Sequence, residues 1–273
     1  MELSGTPVSG SEVNFSSSDE VTPWYRYDVN GNSDQKVVTH TFKYNGKQLR
    51  NYSLLYDRTK RAALWVAYAM NGDKYPHNVS RSDSWQYDPA LKISSTDYFG
   101  QPKLSSSYTG GYTRGHQCAS NDRRTTLYQM YQTDYFSNMT PQTDAFNAGS
   151  STSWDELEED IQTLGYATTG SDTLYVVTGA IFGAGYTSDA KDNNNTSCPV
   201  PTQYYKCVMK VSFNSSGVAT SASGAAFLFD HSTGSKQNKT IKELETLTTF
   251  DFFANIPADI QINAENGTNK LTL

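Results

Sequence analysis

The sequence predicts an α+β fold: a mainly antiparallel central sheet flanked by helices. Three observations carry that prediction. Runs rich in Tyr, Val, Ile and Phe, which favour strands, lie on both sides of a helical stretch near Trp154. The pair Asn45-Gly46 separates two alternating runs, the pattern of a hairpin turn. Strands and helices do not alternate strictly, which argues against a parallel βαβ arrangement.

Each element has its own justification. Residues 1–20 are Ser-, Gly- and Glu-rich without periodicity, order is expected to begin near Trp24, and residues 1–30 are assigned to a flexible tail or linker. No repeat or linker follows, so residues 31–273 read as a single domain. Val37 to Tyr44 and Gln48 to Tyr56 alternate as hairpin strands. Ala62 to Met70 is a continuous apolar run, short enough for a buried strand. Gly72 to Gly111 is turn-rich, polar and aromatic. Ser153 with Glu156 forms a capping-box pattern, and Trp154, Leu157, Ile161 and Leu164 then recur at helical spacing. Gly165 is the expected stop. Leu174 to Phe182, Tyr204 to Phe213 and Ala225 to Phe229 read as strands, with a polar loop from Asp189 to Ser197. Thr240 and Glu243 form a second capping box before a helix from Ile241 to Leu247.

Composition excludes several classes. The 273 residues carry 28 acidic and 22 basic side chains, a formal charge of −6. No run approaches the roughly 18 apolar residues of a membrane span, and the N-terminus lacks the basic-then-apolar pattern of a signal segment. Three cysteines are too few for a disulfide scaffold, and none forms a C-x-x-C pair. Cys198 and Cys207 could bridge a short loop or stay reduced. The Ser-, Thr-, Asn- and Tyr-rich composition leans towards a secreted, periplasmic or surface-attached protein. The acidic balance argues against coating nucleic acid through bulk charge.

Chemistry concentrates in two clusters. The first is Tyr112-Thr113-Arg114-Gly115-His116-Gln117. Histidine titrates near neutral pH and serves as a general base, while arginine offers a planar fork for a phosphate. His40, His77 and His231 read as structural or surface residues. Cys118 reads as a small buried residue, because no hydrolase elbow surrounds it. The second cluster is Ser137-Asn138-Met139-Thr140-Pro141-Gln142, then Asn147, then Trp154-Asp155-Glu156-Leu157-Glu158. Amide and carboxylate oxygens with several waters suit Mg²⁺, and such an ion can stabilise charge developing on a phosphoryl group.

This ordered set, R-G-H, then S-N-x-x-P-Q, then Asn147, then W-x-x-L-E, resembles the DNA/RNA non-specific endonucleases, which are ββα-metal (His-Me finger) nucleases. The resemblance covers roughly residues 36–262 and implies hydrolysis of phosphodiester bonds in DNA and RNA. It implies His116 as general base and Asn147 as direct ligand of one Mg²⁺, with Mn²⁺ a possible substitute. Glu158 would hold a water of the metal, Asn138 would position His116 or those waters, Arg114 would bind phosphate or order the site, and Arg81 would bind the scissile phosphate.

Three departures stand out. Thr113 occupies a position where the family usually has Asp. The stretch from Asn147 to Trp154 is long, and a continuous helix would separate Asn147 from Glu158 by about 16 Å. A bulge or loop is therefore expected there, with Asp155, Glu156 or Glu159 as alternatives to Glu158. An arginine that some members carry after W-x-x-L-E is absent. These departures leave open a catalytically impaired binding module on the same fold, or a phosphodiesterase acting on another phosphoester.

Overall fold

The computed structural model describes residues 25–26, 32–148, 153–183, 189–254 and 256–273. The chain forms β1 (Tyr25–Arg26), β2 (Gln35–Tyr44), β3 (Lys47–Asp57) and β4 (Ala62–Met70). An excursion follows through β5 (Tyr112–His116), α1 (Leu127–Thr133), β6 (Met139–Thr143), α2 (Asp144–Asn147) and α3 (Ser153–Ala167). Then come β7 (Thr173–Ile181), β8 (Asp189–Lys191), β9 (Ser197–Pro199), β10 (Gln203–Phe213), β11 (Ala219–Asp230) and β12 (Lys236–Lys239). The last elements are α4 (Ile241–Thr248), β13 (Asp251–Phe252) and α5 (Ala258–Glu265).

One seven-stranded sheet runs in the order β12-β11-β10-β7-β4-β3-β2, every neighbouring pair antiparallel. Its β2–β3 hairpin turns at Asn45-Gly46, both with positive φ (48° and 75°), as a tight primed turn requires. Side chains of successive strand residues point to opposite faces, and here both faces are covered. Leu54, Val66, Val176, Tyr204 and Val208 join the core beneath α3, with Trp154, Leu157 and Ile161. Leu55, Ala67, Val177, Tyr205 and Cys207 join the core beneath α4 and α5, with Ile241, Leu244 and Ala264. Two covered faces explain why β4 reads as an unbroken apolar run although the sheet is antiparallel.

Several boundaries differ from expectation. α3 runs through Gly165 to Ala167, because the glycine lets the helix lie on β4; a Cβ there would stand 2.5 Å from Met70 Cε. The helix begins at Ser153 itself, and that residue's side chain, with its expected capping bond, lies outside the described residues. β11 starts at Ala219, earlier than its Ala- and Ser-rich sequence suggests, because pairing with β10 supplies the order. Within the expected polar loop, β8 and β9 pair as a short ribbon. The capping box of α4 is formed in both directions between Thr240 and Glu243. Within the segment expected to be a tail, Tyr25–Arg26 pairs antiparallel with Asp251–Phe252; residues 1–24 and 27–31 lie outside the described residues. All three cysteines are free and buried. Cys198 packs with Leu104 and Tyr108, and Cys207 with Tyr205 and Met209, so no disulfide joins them.

Candidate active site

The excursion between β4 and β7 builds the site on the α3 face. β5 and β6 pair antiparallel with Arg114 opposite Pro141 and His116 opposite Met139. α2 follows β6 at once, its first turn capped by Thr143, whose hydroxyl accepts from the Phe146 N–H. Two paired strands and a helix thus form the ββα unit. Buried His231 supports the junction: its Nε2 accepts the Thr143 N–H at 3.1 Å while Nδ1 donates to the Pro201 carbonyl at 2.8 Å. Burial lowers its pKa, keeping the ring in the neutral form that this bonding needs.

Gly115 has a steric reason. A Cβ there would lie 2.1 Å from Gln142 Cδ, so the side chain of β6 occupies the space a larger residue would need. Arg114 and His116 share one face of β5, and Trp85 meets both. The Arg114 guanidinium lies 3.8 Å over the Trp85 ring, and the His116 ring centroid is 5.4 Å from it. One nitrogen of Arg114, Nη1, donates to the Leu104 carbonyl.

His116 Nε2 lies 3.1 Å from Asp134 Oδ1. Buried Asp134 is itself fixed, since its other oxygen accepts the Ser84 N–H at 2.7 Å. Sequence reasoning missed Asp134. Its available signal was a carboxylate four residues before Asn138, on the far side of a short helix. Thr113, in the position where the resemblance expects Asp, directs its hydroxyl to the Gln142 carbonyl instead.

Asn138 differs from expectation in its contacts. Its amide accepts from Cys118 N–H at 2.9 Å and donates to the carbonyls of Cys118 and Thr133. It therefore bonds to backbone and not to the His116 ring, clamping the chain just beyond His116 to the ends of α1 and β6. Arg81 stands at the rim, 52% exposed and 3.5 Å from Asp83. It lies on the segment that carries Ser84 and Trp85 against Asp134 and His116.

The metal candidates stand on either side of the α2–α3 junction, Asn147 ending α2 and Glu158 within α3. α2 ends at Asn147 and α3 starts at Ser153, so no continuous helix spans the interval, and residues 149–152 lie outside the described residues. The chain doubles back: the Phe146 and Trp154 rings are 5.1 Å apart. Among the described residues no hydrogen bond engages the Asn147 side chain. Glu158 is 20% exposed and accepts from Lys206 Nζ at 3.1 Å. Lys206, only 1% exposed, also sits 4.1 Å over the Trp154 ring. Burial pushes the Glu158 carboxyl up, and Lys206 pulls it back. Among the alternatives, Glu156 and Glu159 are exposed and Asp155 is half-buried. A separate group, Glu245, Asp251 and Glu265, gathers on the opposite face of the sheet.

A family model described as DNA/RNA non-specific endonuclease matches residues 31–259. The chain is 28% identical over 247 residues to a nuclease of Nostoc sp., covering 86% of this chain and 83% of that one. It is 27% identical over 248 residues to a nuclease of Serratia marcescens, covering 86% and 81%. With human mitochondrial endonuclease G the identity is 26% over 174 residues, covering 60% and 54%. A solved EndoG/EndoGI complex contains a chain similar in fold, with a TM-score of 0.55 at 20% identity, over 82% of this chain and 89% of that one. No helix among the described residues is long and apolar enough to cross a membrane.

Proposed function

The chain belongs to the DNA/RNA non-specific endonuclease family and is a nucleic-acid endonuclease, and we propose that it cuts with His116 as general base and one Mg²⁺ on Asn147. The observation that carries this reading is the bond between His116 and Asp134 at the end of β5. A carboxylate only accepts hydrogen bonds, so Nε2 carries the ring hydrogen and the Nδ1 lone pair is left for water. Asp134 then fixes the tautomer and stabilises the ring once it has taken the proton. Trp85 holds Arg114 beside it, leaving the other guanidinium nitrogens for a non-bridging phosphate oxygen. Arg81 meets the incoming strand at the rim. Asn138 acts through the backbone, holding the end of β5 in place.

The family is one of metal-dependent nucleases that use a divalent ion, and the donors here fit a hard cation. The Asn147 amide has no competing hydrogen bond among the described residues, and Glu158 has lone pairs beyond its bond to Lys206 that can orient a water. When bound, the ion supplies positive charge against the phosphate and the leaving oxygen. We further propose that residues 31–273 act as one nuclease domain, supported by the family match and by a single sheet carrying both cores. A secreted, periplasmic or surface location is our reading of the composition alone.

Purified protein with Mg²⁺ or Mn²⁺ is expected to degrade plasmid DNA and RNA, and EDTA to stop both. Asn147→Ala should raise the Mg²⁺ concentration for half-maximal rate by more than about tenfold. An unchanged metal requirement in that variant removes Asn147 as the ligand.

A further inference from the structure

A groove of about 680 Å³ opens between the free edge of β2 and α1, within the roughly 300–1,000 Å³ usual for a small-ligand site. It lies outside the cluster built around His116. β2 is the last strand of the sheet. The Gln132 side chain crosses from α1 to the Thr41 carbonyl at 3.0 Å and closes the floor. Phe42 and Tyr135 supply apolar wall, Lys43 and Gln48 stand exposed at the mouth, and Tyr128 covers one side. Tyr128 is 60% exposed, an unusual setting for so large a ring. In a chain with 28 acidic side chains, none of the residues lining this groove is acidic.

Two stretches of chain connect the groove with the catalytic residues. Asp134 and Tyr135 are neighbours in the chain, one bonded to His116 and the other lining the groove. The stretch around Gln86 lies along this segment: Phe136 N–H bonds to the Gln86 carbonyl, and Gln86 and Tyr135 form a bridge. On the outside, Tyr128 and Tyr131 are one helical step apart on the same face of α1. The Tyr131 hydroxyl meets Ser82 Oγ at 3.5 Å, next to Arg81. Aromatic rings and cations therefore recur from Lys43 and Tyr128, past Tyr131 and Arg81, which pairs with Asp83, to Trp85, Arg114 and His116. Aromatic faces with cations beside them hold a single strand without choosing its sequence.

From this arrangement we propose that the β2–α1 groove is a binding subsite for a nucleotide of the substrate strand flanking the scissile phosphate. The base stacks on Tyr128, Lys43 meets the neighbouring phosphate, and Gln48 offers an amide to a base edge. The subsite rests on the endonuclease reading, so its test keeps the two apart. Wild type, Tyr128→Ala, Tyr128→Phe and Lys43→Ala are compared on a twelve-nucleotide single strand and on bis(p-nitrophenyl) phosphate, a diester with no flanking nucleotide. Binding of a fluorescent oligonucleotide to each variant in EDTA gives a second readout. Tyr128→Ala and Lys43→Ala should raise KM for the strand by about tenfold, at least five times their effect on the small diester. Oligonucleotide Kd should rise in parallel, and Tyr128→Phe should stay within twofold of wild type. A strand KM within twofold of wild type in both alanine variants overturns the proposal and assigns the groove to a protein surface. Equal losses on both substrates overturn it as well, since the groove would then act only through the fold. If the wild type cuts neither substrate, the endonuclease reading fails first.

Discussion

The two faces of the sheet space their buried acids differently. On the α3 face three inward acids are set against a basic group: Glu158 against Lys206, Asp134 against His116, and Asp88 against His40. On the other face, Glu245, Asp251 and Glu265 bring carboxylate oxygens within 4.8 Å of one another. There Glu245 accepts from the Phe252 N–H and from Lys242, and Gln261 bonds Glu265. The Glu265 carboxyl is pushed up to about 7, first by burial and then by the charge of Glu245. Glu158 is also pushed up by burial, but Lys206 opposes the shift. Burial alone drives a carboxyl towards neutrality; a cation beside it opposes that shift. On the α3 face these three acids each have a basic partner, whereas on the α4–α5 face three carboxylates crowd together and Lys242 pairs with Glu245.

Breaking the pair on the α3 face should have the larger effect. Lys206→Met strands Glu158 without its partner and is expected to lower stability by about 3 kcal/mol, read from urea unfolding. Adding Glu158→Gln should recover most of that loss, because no charge is then left unpaired. A double variant as unstable as the single one would show that Lys206 acts through packing against Trp154 and not through charge.

The opposite face should respond with the reverse sign. The folded pKa of Glu265 lies above its ordinary 4.5, so its contribution is fully present below pH 4.5 and is lost as pH rises through about 7. At pH 8 the charged form costs up to about 3 kcal/mol. Glu265→Gln should therefore raise Tm at pH 8 and leave it nearly unchanged at pH 4.5. A pH-independent effect would mean that the crowding of carboxylates on this face carries no electrostatic penalty.

Much of this contrast was out of reach of the sequence, while the frame was not. Asn45-Gly46 announced the β2–β3 hairpin because a primed turn demands those residues, and Thr240 with Glu243 announced α4 because a capping box is local. Arg114 and His116 were legible as a pair able to meet one anion, with only Gly115 between them. The partners of the catalytic candidates were not legible. Asp134 reaches His116 only after α1 turns the chain back, and Lys206 meets Glu158 from a strand on the far side of β7. α1 itself, Leu-Tyr-Gln-Met-Tyr-Gln-Thr, has too few turns to show a periodic stripe. Its place is set by long-range bonds, such as those from Asn51 to Gln129 and Gln132. The role of Asn138 shifted for the same reason: its amide is consumed by backbone groups that only the fold brings near.

If His116 removes a proton from water, a free imidazole should take over that step when the side chain is lost. Cleavage of a defined strand by His116→Ala is measured with and without added imidazole, in Mg²⁺ at pH 7.5. The account requires a fall of about 10²–10⁴-fold in rate, unchanged oligonucleotide binding, and a rate that climbs with imidazole concentration. A variant that cuts at the wild-type rate would contradict it, as would a dead variant whose oligonucleotide binding is intact and which imidazole does not revive.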